Sequence, residues 1–352
     1  MAYLISGIQQ IGIGVPDVEA AWAFYRAAFG MDVPVFQDAA EAPLMTPYTG
    51  GTVHRRTATL ALNLQGGSGF EIWQFTSRTP QGPAFDVQLG DLGLFAARIK
   101  TRDVAQAHRF FEKARPEALS PIAPNPAGTQ HFFLTDPMGL TFDVVPGEAW
   151  FGNGRHPTGG PCGMLIDVSD VDRARMLYTD LLGYDEVVYD ETGTFADFAS
   201  LPGGHGRFRR VLLAHRAPRR GPFARLLGPS RLELVQALDR TPRTIFDGRF
   251  WGDLGFIHLC FDVQGMDALK QACEAAGFPF TVDSADSFDM GEAAGRFGYI
   301  EDPDGTLIEF VETHRMPVLK KLGWYLDLRK RPPGRPLPDW MLKALALNRV
   351  RS

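Results

Sequence analysis

The feature that most constrains this fold is an internal repeat. Residues 70–80 read FEIWQFTSRTP, and residues 232–242, 162 positions later, read LELVQALDRTP. The same offset carries GDLGL at 90–94 onto GDLGF at 252–256 without a gap. A long-period repeat indicates that one supersecondary unit is used more than once. The chain is therefore expected to contain two similar halves.

The two halves also share their beginnings and their ends. VPDVEAAWAFY at 15–25 parallels VSDVDRARMLY at 168–178, and DPMGLTFDVV at 136–145 parallels DPDGTLIEFV at 302–311. Insertions fall between the matched blocks and leave the blocks intact. A length of 352 residues fits two domains. We expect a first domain at 1–150 and a second at 160–313, separated by a Gly/Pro-rich linker.

Each half is in turn doubled. TRDVAQAHRFF at 101–111 and VQGMDALKQAC at 263–273 repeat the pattern of a strand end followed by a helix with apolar residues at spacings of 3 and 4. This gives four modules, numbered 1 to 4 along the chain, each read as one strand, a helix and three strands. In module 1 we expect a helix at 18–29 that ends at Gly30. The expected fold class is α+β, built from βαβββ modules.

Charge and cysteine content narrow the function classes. The net charge is −5, with ten Lys or Arg against two Asp in residues 313–352. The rest of the chain is thus strongly acidic and a poor nucleic-acid binder. Three cysteines without a CxxC pair argue against a disulfide framework and a zinc knuckle. No segment resembles a leader or a membrane span, so we expect a cytoplasmic protein with a small-molecule partner.

These motifs together resemble the vicinal oxygen chelate superfamily, over residue 7 to about residue 312. The [VP]-x-D-[VL] start, the helix ending and the closing DPDGxxIExxE carry the resemblance. The superfamily includes glyoxalase I, methylmalonyl-CoA epimerase, extradiol dioxygenases and 4-hydroxyphenylpyruvate dioxygenase. Two βαβββ modules of such proteins curl into an open barrel around a metal. The resemblance implies two such barrels in tandem here, followed by a C-terminal helical tail.

The resemblance also implies where metal ligands lie, namely on the first and fourth strands of each module in a pair. In the second half, these positions hold Gly163, Glu233, His258 and Glu309. In the first half, they hold Gln10, Glu71, Ala96 and Asp143. Ala96 has no donor atom, whereas Gln occupies the first position in some glyoxalase I proteins. We therefore expect the metal site at Glu233, His258 and Glu309.

Two carboxylates and one imidazole suit a divalent ion, either zinc, manganese, nickel, cobalt or iron, that keeps positions open for substrate oxygens. A chelated carbonyl acidifies the neighbouring C–H, and a carboxylate beside the metal can move that proton. We expect Glu233 and Glu309 to act as ligand or base in a metal-dependent isomerase, epimerase or lyase. Each acid taken alone also fits a solvated strand residue, so the prediction depends on three ligand positions coinciding.

Two other functions remain open. The two-pair layout also fits an iron-dependent dioxygenase, but such enzymes present two His and one carboxylate. Gly163 stands where the first His would lie, and neither Cys162 nor His156 is a clear substitute. The second alternative is a metal-free small-molecule binding protein, like the bleomycin-binding members of the superfamily.

The loop at 202–230 and the tail at 314–352 lie outside the repeated pattern of the modules. Arg207, Arg209 or Arg210 can reach an anionic substrate, although a hydrated basic loop is the simpler interpretation. In the tail, Asp339 is expected to cap a helix at 340–347. The basic tail can serve as a lid over the active site, pack across a homodimer or contact an anionic membrane surface.

Overall fold

A computed structural model describes residues 3–114, 119–285, 288–289, 294–319 and 324–350. The helices are α1 Val18–Phe29, α2 Val104–Ala114, α3 Val171–Arg175, α4 Ala224–Leu227, α5 Met266–Ala275 and α6 Asp339–Lys343. Helix α3 continues into a π-helical turn, Met176–Leu181, and four short 3-10 turns are Pro43–Tyr48, Ala196–Phe198, Leu328–Lys330 and Ala344–Asn348. No helix within these residues is long and apolar enough to cross a membrane.

The strands of modules 1 and 2 are β1 Leu4–Gly14, β2 Val33–Glu41, β3 Arg55–Leu62, β4 Gly69–Phe75, then β5 Gly93–Thr101, β6 Ala123–Pro124, β7 Gln130–Thr135 and β8 Thr141–Pro146. Module 3 contributes β9 Thr158–Asp167, β10 Glu186–Gly193, β11 Phe208–Ala214 and β12 Arg231–Ala237. Module 4 contributes β13 Gly255–Gln264, β14 Val282–Asp283, β15 Phe288–Asp289, β16 Ala294–Glu301 and β17 Leu307–Leu319, and the tail adds β18 Trp324–Asp327. The α+β class and the βαβββ modules are confirmed.

The modules pair differently from the order expected. The first sheet has ten strands in the order β14-β16-β17-β13-β1-β4-β3-β2, with β15 and β18 at its side, and so joins module 1 to module 4. The second sheet has eight strands in the order β10-β11-β12-β9-β5-β8-β7-β6 and joins module 2 to module 3. Neither half of the chain closes on itself, and the boundary expected between 150 and 160 separates two modules that share a sheet.

The physical reason is that the modules are repeats, so their first strands offer nearly interchangeable edges. Strand β1 pairs antiparallel with β13, and β5 pairs antiparallel with β9. Contacts between residues that are distant in sequence then decide between the alternatives. The Asp167 carboxylate at the end of β9 accepts the Gly90 N–H at 2.6 Å, which holds the start of β5 beside β9. A short link of 11 residues between β8 and β9 also permits modules 2 and 3 to be neighbours.

Alternation along the central strands separates a core face from a polar face in both sheets. Ile11 and Ile13 of β1, like Leu259 and Phe261 of β13, point into one continuous core that also takes the apolar sides of α1, α2 and α5. Residues of opposite parity on these strands point to the other face. The candidate ligands all lie on this second face, which is where a functional site can form.

Helix α1 confirms its sequence prediction. It spans Val18–Phe29, the Asp17 carboxylate accepts the N–H groups of Glu19 and Ala20, and Gly30 ends it with φ 63°.

The acids that open the DPMG and DPDG turns connect modules to each other. The Tyr25 hydroxyl donates to Asp136 at 2.8 Å, and the Tyr178 hydroxyl donates to Asp302 at 2.9 Å.

The tail differs from its prediction in two respects. Strand β17 runs to Leu319, so the boundary expected at 313 falls inside a strand. Asp339 is the first residue of α6 and pairs with Arg225 instead of capping the helix. The apolar side of the tail, including Leu337 and Leu342, packs on Leu62 and Leu227. Packing against the two modules that carry these leucines is thus the role that the described tail contacts indicate.

Candidate metal centre

Four neighbouring strands of the first sheet each contribute one candidate ligand. In the order β17, β13, β1 and β4, these are Glu309, His258, Gln10 and Glu71. The register places Gly12 opposite His258 on one side and beside Glu71 on the other, while Cys260 lies opposite Gln10 and beside Glu309. Modules 1 and 4 therefore each supply the two ligand positions that the sequence motifs assign to a module.

The donor atoms of this cluster converge. His258 Nε2 lies 3.0 Å from Glu309 Oε2 and 3.4 Å from Glu71 Oε2, and Gln10 Nε2 donates to Glu71 Oε2 at 3.3 Å. One donor atom from each of Glu71, His258 and Glu309 lies within 4.8 Å of the other two. Atoms at these separations can share one divalent ion.

Unpartnered polar atoms test whether the residues fit a metal. Among the described residues, Gln10 Oε1, His258 Nε2 and Glu309 Oε2 are buried and have no partner in hydrogen-bond geometry, despite the 3.0 Å between the last two. Buried polar atoms are rarely left unsatisfied, because the loss of water is costly. Here all three are atoms that bind metals, so the donor set fits a divalent cation.

The surroundings hold the imidazole in place. Tyr299 Oη lies 3.4 Å from His258 Nδ1, where it can accept the Nδ1–H and leave the Nε2 lone pair towards the carboxylates. The Trp251 ring is nearly parallel to the imidazole, with 6.4 Å between centroids. A Cβ on Gly12 would lie 2.3 Å from His258 Cε1. The glycine in β1 thus provides the space that the imidazole ring occupies.

The cluster attracts a positive charge. Burial acts to lower the pKa of His258, but the charge of Glu309 and the neighbouring Glu71 outweigh it and raise the pKa to about 9. Even with a protonated imidazole, the two carboxylates leave one buried negative charge uncompensated. Buried charges are tolerated when they are paired or bind metals.

Glu233 lies elsewhere, which corrects the expected grouping with His258 and Glu309. It belongs to β12 in the second sheet, where its carboxylate accepts Arg210 Nε and the Tyr189 hydroxyl, both at 2.7 Å. Arg98 Nη1 lies 3.8 Å from its other oxygen. Its role as metal ligand or base therefore lacks the neighbouring imidazole that the prediction required.

Glu233 is part of a buried ion network. Arg98 Nε donates to Asp143 at 3.0 Å, and the Arg210 guanidinium donates to Asp197 at 2.8 and 2.9 Å. His131 lies between the two aspartates, 2.7 Å from Asp143 and 3.2 Å from Asp197. Burial acts to lower the pKa of His131, but Asp143 and Asp197 raise it to about 9. Three cations thus balance the carboxylates of Asp143, Asp197 and Glu233.

Two residue differences between the repeats explain why the equivalent acids have different partners in the two sheets. The 162-residue offset makes Arg98 the counterpart of Cys260. Strand pairing sets Leu60 opposite Glu71 and Leu212 opposite Glu233, so Arg210 is the counterpart of Ala58. In the second sheet, guanidinium groups supply the positive charge beside the acids. In the first sheet, a thiol and a methyl group stand at these two positions, so neither position supplies a guanidinium group beside the acids.

Other residues singled out in the sequence also have structural partners. Arg209 pairs with Asp172 and Asp190, and His156 Nε2 lies 3.0 Å from the Ala27 carbonyl oxygen. Cys162 lies on β9 and lines a small cavity.

Sequence reasoning identified Gln10 and Glu71 as ligand positions but assigned them to the wrong partner module. A usable signal was present, because both positions without a donor, Ala96 and Gly163, fall in modules 2 and 3. All four positions of modules 1 and 4 hold a donor side chain, in agreement with the sheet that joins these modules.

Two βαβββ modules share each curled sheet, and in one sheet donor atoms converge on the polar face. This arrangement places the chain among the paired-module half-barrel proteins. The chain belongs to the Glyoxalase/Bleomycin resistance protein/Dioxygenase superfamily, which it matches over residues 7–144 and 164–310.

Solved structures with a similar fold include a glyoxalase I mutant from Zea mays, with TM-score 0.52 and 15% identity, covering 87% of this chain and 93% of that one. A putative dioxygenase from Bacillus subtilis subsp. subtilis str. 168 has TM-score 0.53 and 16% identity, with 88% and 86% covered. At these identities the likeness concerns the fold alone.

One curated relative is 32% identical over 103 residues and is named phosphoglycerate kinase, from Leifsonia xyli subsp. xyli (strain CTCB07). The match covers 28% of this chain and 25% of that protein. Because it spans only a quarter of the relative, its name carries no argument about the activity of this chain.

Proposed function

We propose that the protein is a metal-dependent, glyoxalase-like isomerase, epimerase or lyase that moves a proton beside the carbonyl of a small substrate. The observation that carries this proposal is the convergence of Glu71, His258 and Glu309, next to Gln10, with buried donor atoms that lack partners. One imidazole and two carboxylates suit redox-neutral chemistry at zinc, manganese, nickel, cobalt or iron.

The residues of the cluster have different proposed roles. Glu71, His258 and Gln10 Oε1 would hold the ion, which when bound polarises a substrate carbonyl. Glu71 is fixed by the Gln10 amide, whereas Glu309 Oε2 is unpartnered, so Glu309 is the carboxylate we propose to take and return the proton. Trp73, Trp251 and Tyr299 form an apolar cluster on this side of the sheet, which helps to exclude water.

The structure offers less support for the iron-dependent dioxygenase alternative. Oxygenases of this type bind iron with two imidazoles and one carboxylate. The cluster of described residues contains a single imidazole, His258, and Gln10 occupies the first-strand position. Anaerobic loading with Fe(II), followed by oxygen-uptake assays on phenols and keto acids, tests this alternative, and rapid oxygen consumption would favour it over proton transfer.

The decisive experiment is metal content in matched variants of the full chain purified without chelator. We expect about one divalent ion per chain in the wild type and at least tenfold weaker metal binding in His258→Ala and Glu71→Gln, because each removes a ligand. Glu233→Gln should retain the metal, since it lies in the other sheet. His205→Ala, at an exposed histidine, is the control for loss of an imidazole.

Two results would contradict the proposal. A wild-type protein that takes up no ion from zinc, manganese, nickel, cobalt or iron salts would indicate the metal-free binding protein instead. Loss of the metal in Glu233→Gln with retention in Glu71→Gln would support a site formed by modules 3 and 4.

Deuterium incorporation into hydroxyacetone in D₂O tests the proton-transfer step separately. We expect Glu309→Gln to lose this incorporation while it keeps the metal.

A further inference from the structure

The second sheet carries a small cavity that is separate from the candidate metal centre. It has a volume of about 50 Å³ and is lined by charged and polar side chains, including Arg98, Lys100, Asn125, Glu148 and Arg231. Arg98 and Lys100 stand two residues apart on β5 and so point to the same face of the strand. The cavity therefore lies beside the buried ion network, at the Arg98 side.

Lys100 is a buried cation without a carboxylate partner. Lys100 is 1% exposed, and its Nζ donates to the Ala149 carbonyl oxygen at 3.3 Å. Within the described residues, no carboxylate forms an ion pair with it. Burial lowers the pKa of Lys100, as expected for an ammonium group that lacks a counter-ion. An isolated buried charge of this kind is rare unless something pairs with it.

Arg98 provides a second group with unused capacity. Its Nε donates to Asp143, but Nη1 is buried and has no hydrogen-bond partner among the described residues. Arg98 is 3% exposed, so water from the bulk solvent does not readily satisfy this nitrogen. Lys100 thus brings a charge without a counter-ion to the cavity, and Arg98, whose own charge is balanced by Asp143 and Glu233, brings a guanidinium nitrogen without a hydrogen-bond partner.

The other lining residues do not neutralise these groups. Arg231 and Glu148 form an ion pair with each other, so their charges cancel. Burial raises the pKa of the Cys162 thiol, which keeps it neutral at physiological pH. The Asn125 Oδ1 accepts the N–H groups of Ala127 and Thr129, which leaves its Nδ2 amide as the free group. The cavity is consequently rich in donors and short of acceptors.

We propose that this cavity binds a small oxyanion, a carboxylate or a phosphate group, between Lys100 and Arg98 Nη1. Such a group supplies the charge and the acceptor atoms that the lining lacks, and guanidinium and ammonium groups both bind it through charge-assisted hydrogen bonds. A volume of about 50 Å³ holds roughly four water-sized groups. That matches the size of an oxyanion head group and excludes a larger ligand from the cavity itself.

The test measures the thermal unfolding midpoint of the full chain in inorganic phosphate, in acetate and in chloride at equal ionic strength. A ligand that binds the folded state raises the midpoint in a saturable way. We expect phosphate or acetate, but not chloride, to give such a rise, and the comparison of the two identifies which oxyanion is preferred. Isothermal titration of the same salts into the wild type gives the affinity directly.

Lys100→Met removes the charge at similar length and should weaken oxyanion binding at least about tenfold, since a charge-assisted hydrogen bond is lost. Lys113→Met, at an exposed lysine on α2, is the matched control and should leave binding unchanged. Arg231→Gln, at the partly exposed rim, provides a second variant should Lys100→Met fail to fold; it leaves the Glu148 carboxylate without its ion-pair partner beside the cavity, so anion affinity should also fall.

The proposal is overturned if neither phosphate nor acetate binds the wild type more tightly than chloride does. It is also overturned if Lys100→Met and Arg231→Gln bind these anions as well as Lys113→Met does. In that case ordered water satisfies the cavity. Because the site lies in the second sheet, this outcome leaves the metal proposal for the first sheet unaffected.

Discussion

At the residue scale, buried acids at matching strand positions of the two sheets have different partners. Glu71 and Glu233 occupy matching positions on β4 and β12. Glu233 faces Arg210, whereas the corresponding residue near Glu71 is Ala58. A guanidinium group can replace a metal as the partner of a buried carboxylate, because both bring positive charge and direct contacts to oxygen.

Gly12 is the residue whose effect on the metal centre can be tested with the least chemical change. In Gly12→Ala, the added methyl would lie 2.3 Å from His258 Cε1, so the imidazole must move. We expect metal affinity to fall at least tenfold and the free energy of unfolding to fall by about 1–3 kcal/mol, as for other overpacked sites.

Gly193→Ala is the control for this variant, because a Cβ there meets no atom within 4 Å. Metal titration and urea unfolding of both variants provide the comparison. Unchanged metal affinity in Gly12→Ala would indicate that the position of the His258 ring does not limit metal binding.

At the element scale, alternation along each strand decides which side chains meet. Strands β5 and β13 are repeats of each other, and both place one set of side chains in the core. Their other faces differ: β13 presents His258 and Cys260, and β5 presents Ala96 and Arg98. The first pattern contributes to the candidate metal-ligand set, and the second forms an ion network with β7, β8, β11 and β12.

The network makes stability depend on pH through His131 on β7. Its pKa is raised to about 9 from 6.5, so its contribution to stability is complete below pH 6.5 and is lost as the pH rises through 9. A shift of this size corresponds to a loss on the order of 3 kcal/mol in the free energy of unfolding.

Urea unfolding of metal-saturated protein between pH 6 and 9.5 measures this loss. His131→Gln should be less stable than the wild type at pH 6.5 and should show a flatter dependence on pH. His205→Gln, at an exposed histidine, should retain the slope of the wild type. A wild-type slope that survives in His131→Gln would mean that another group titrates.

At the scale of the whole molecule, the chain ends meet in one sheet. Module 1 and module 4 are joined by β1 and β13, although 260 positions separate Leu4 from its strand partner, Gln264, at the end of β13. The candidate metal centre therefore draws its residues from modules 1 and 4, and modules 2 and 3 connect them as a second sheet.

Splitting the chain in its exposed linker tests this arrangement. Residues 1–155 contain Gln10 and Glu71, and residues 156–352 contain His258 and Glu309. We expect neither half alone to bind metal tightly, whereas co-expressed halves should co-purify and bind about one ion per pair. Wild-type metal affinity in residues 156–352 alone would contradict the pairing of modules 1 and 4.

The sequence by itself determined the modules, and it indicated which strand positions carry candidate ligands. The repeats predicted four βαβββ units and helix α1 to the residue, because hydrophobic periodicity and capping act locally. The family resemblance implied that His258 and Glu309 occupy candidate ligand positions. These features depend on neighbours that are close in sequence, so local patterns are sufficient to find them.

Only the tertiary structure decided which modules share a sheet. Repeated modules present similar strand edges, so β1 can pair with β5 or with β13 on local grounds alone. The choice depends on contacts between distant residues, such as Asp167 with Gly90, that no single module contains. That choice exchanged Glu233 for Glu71 beside His258, and with it decided where an ion can be held.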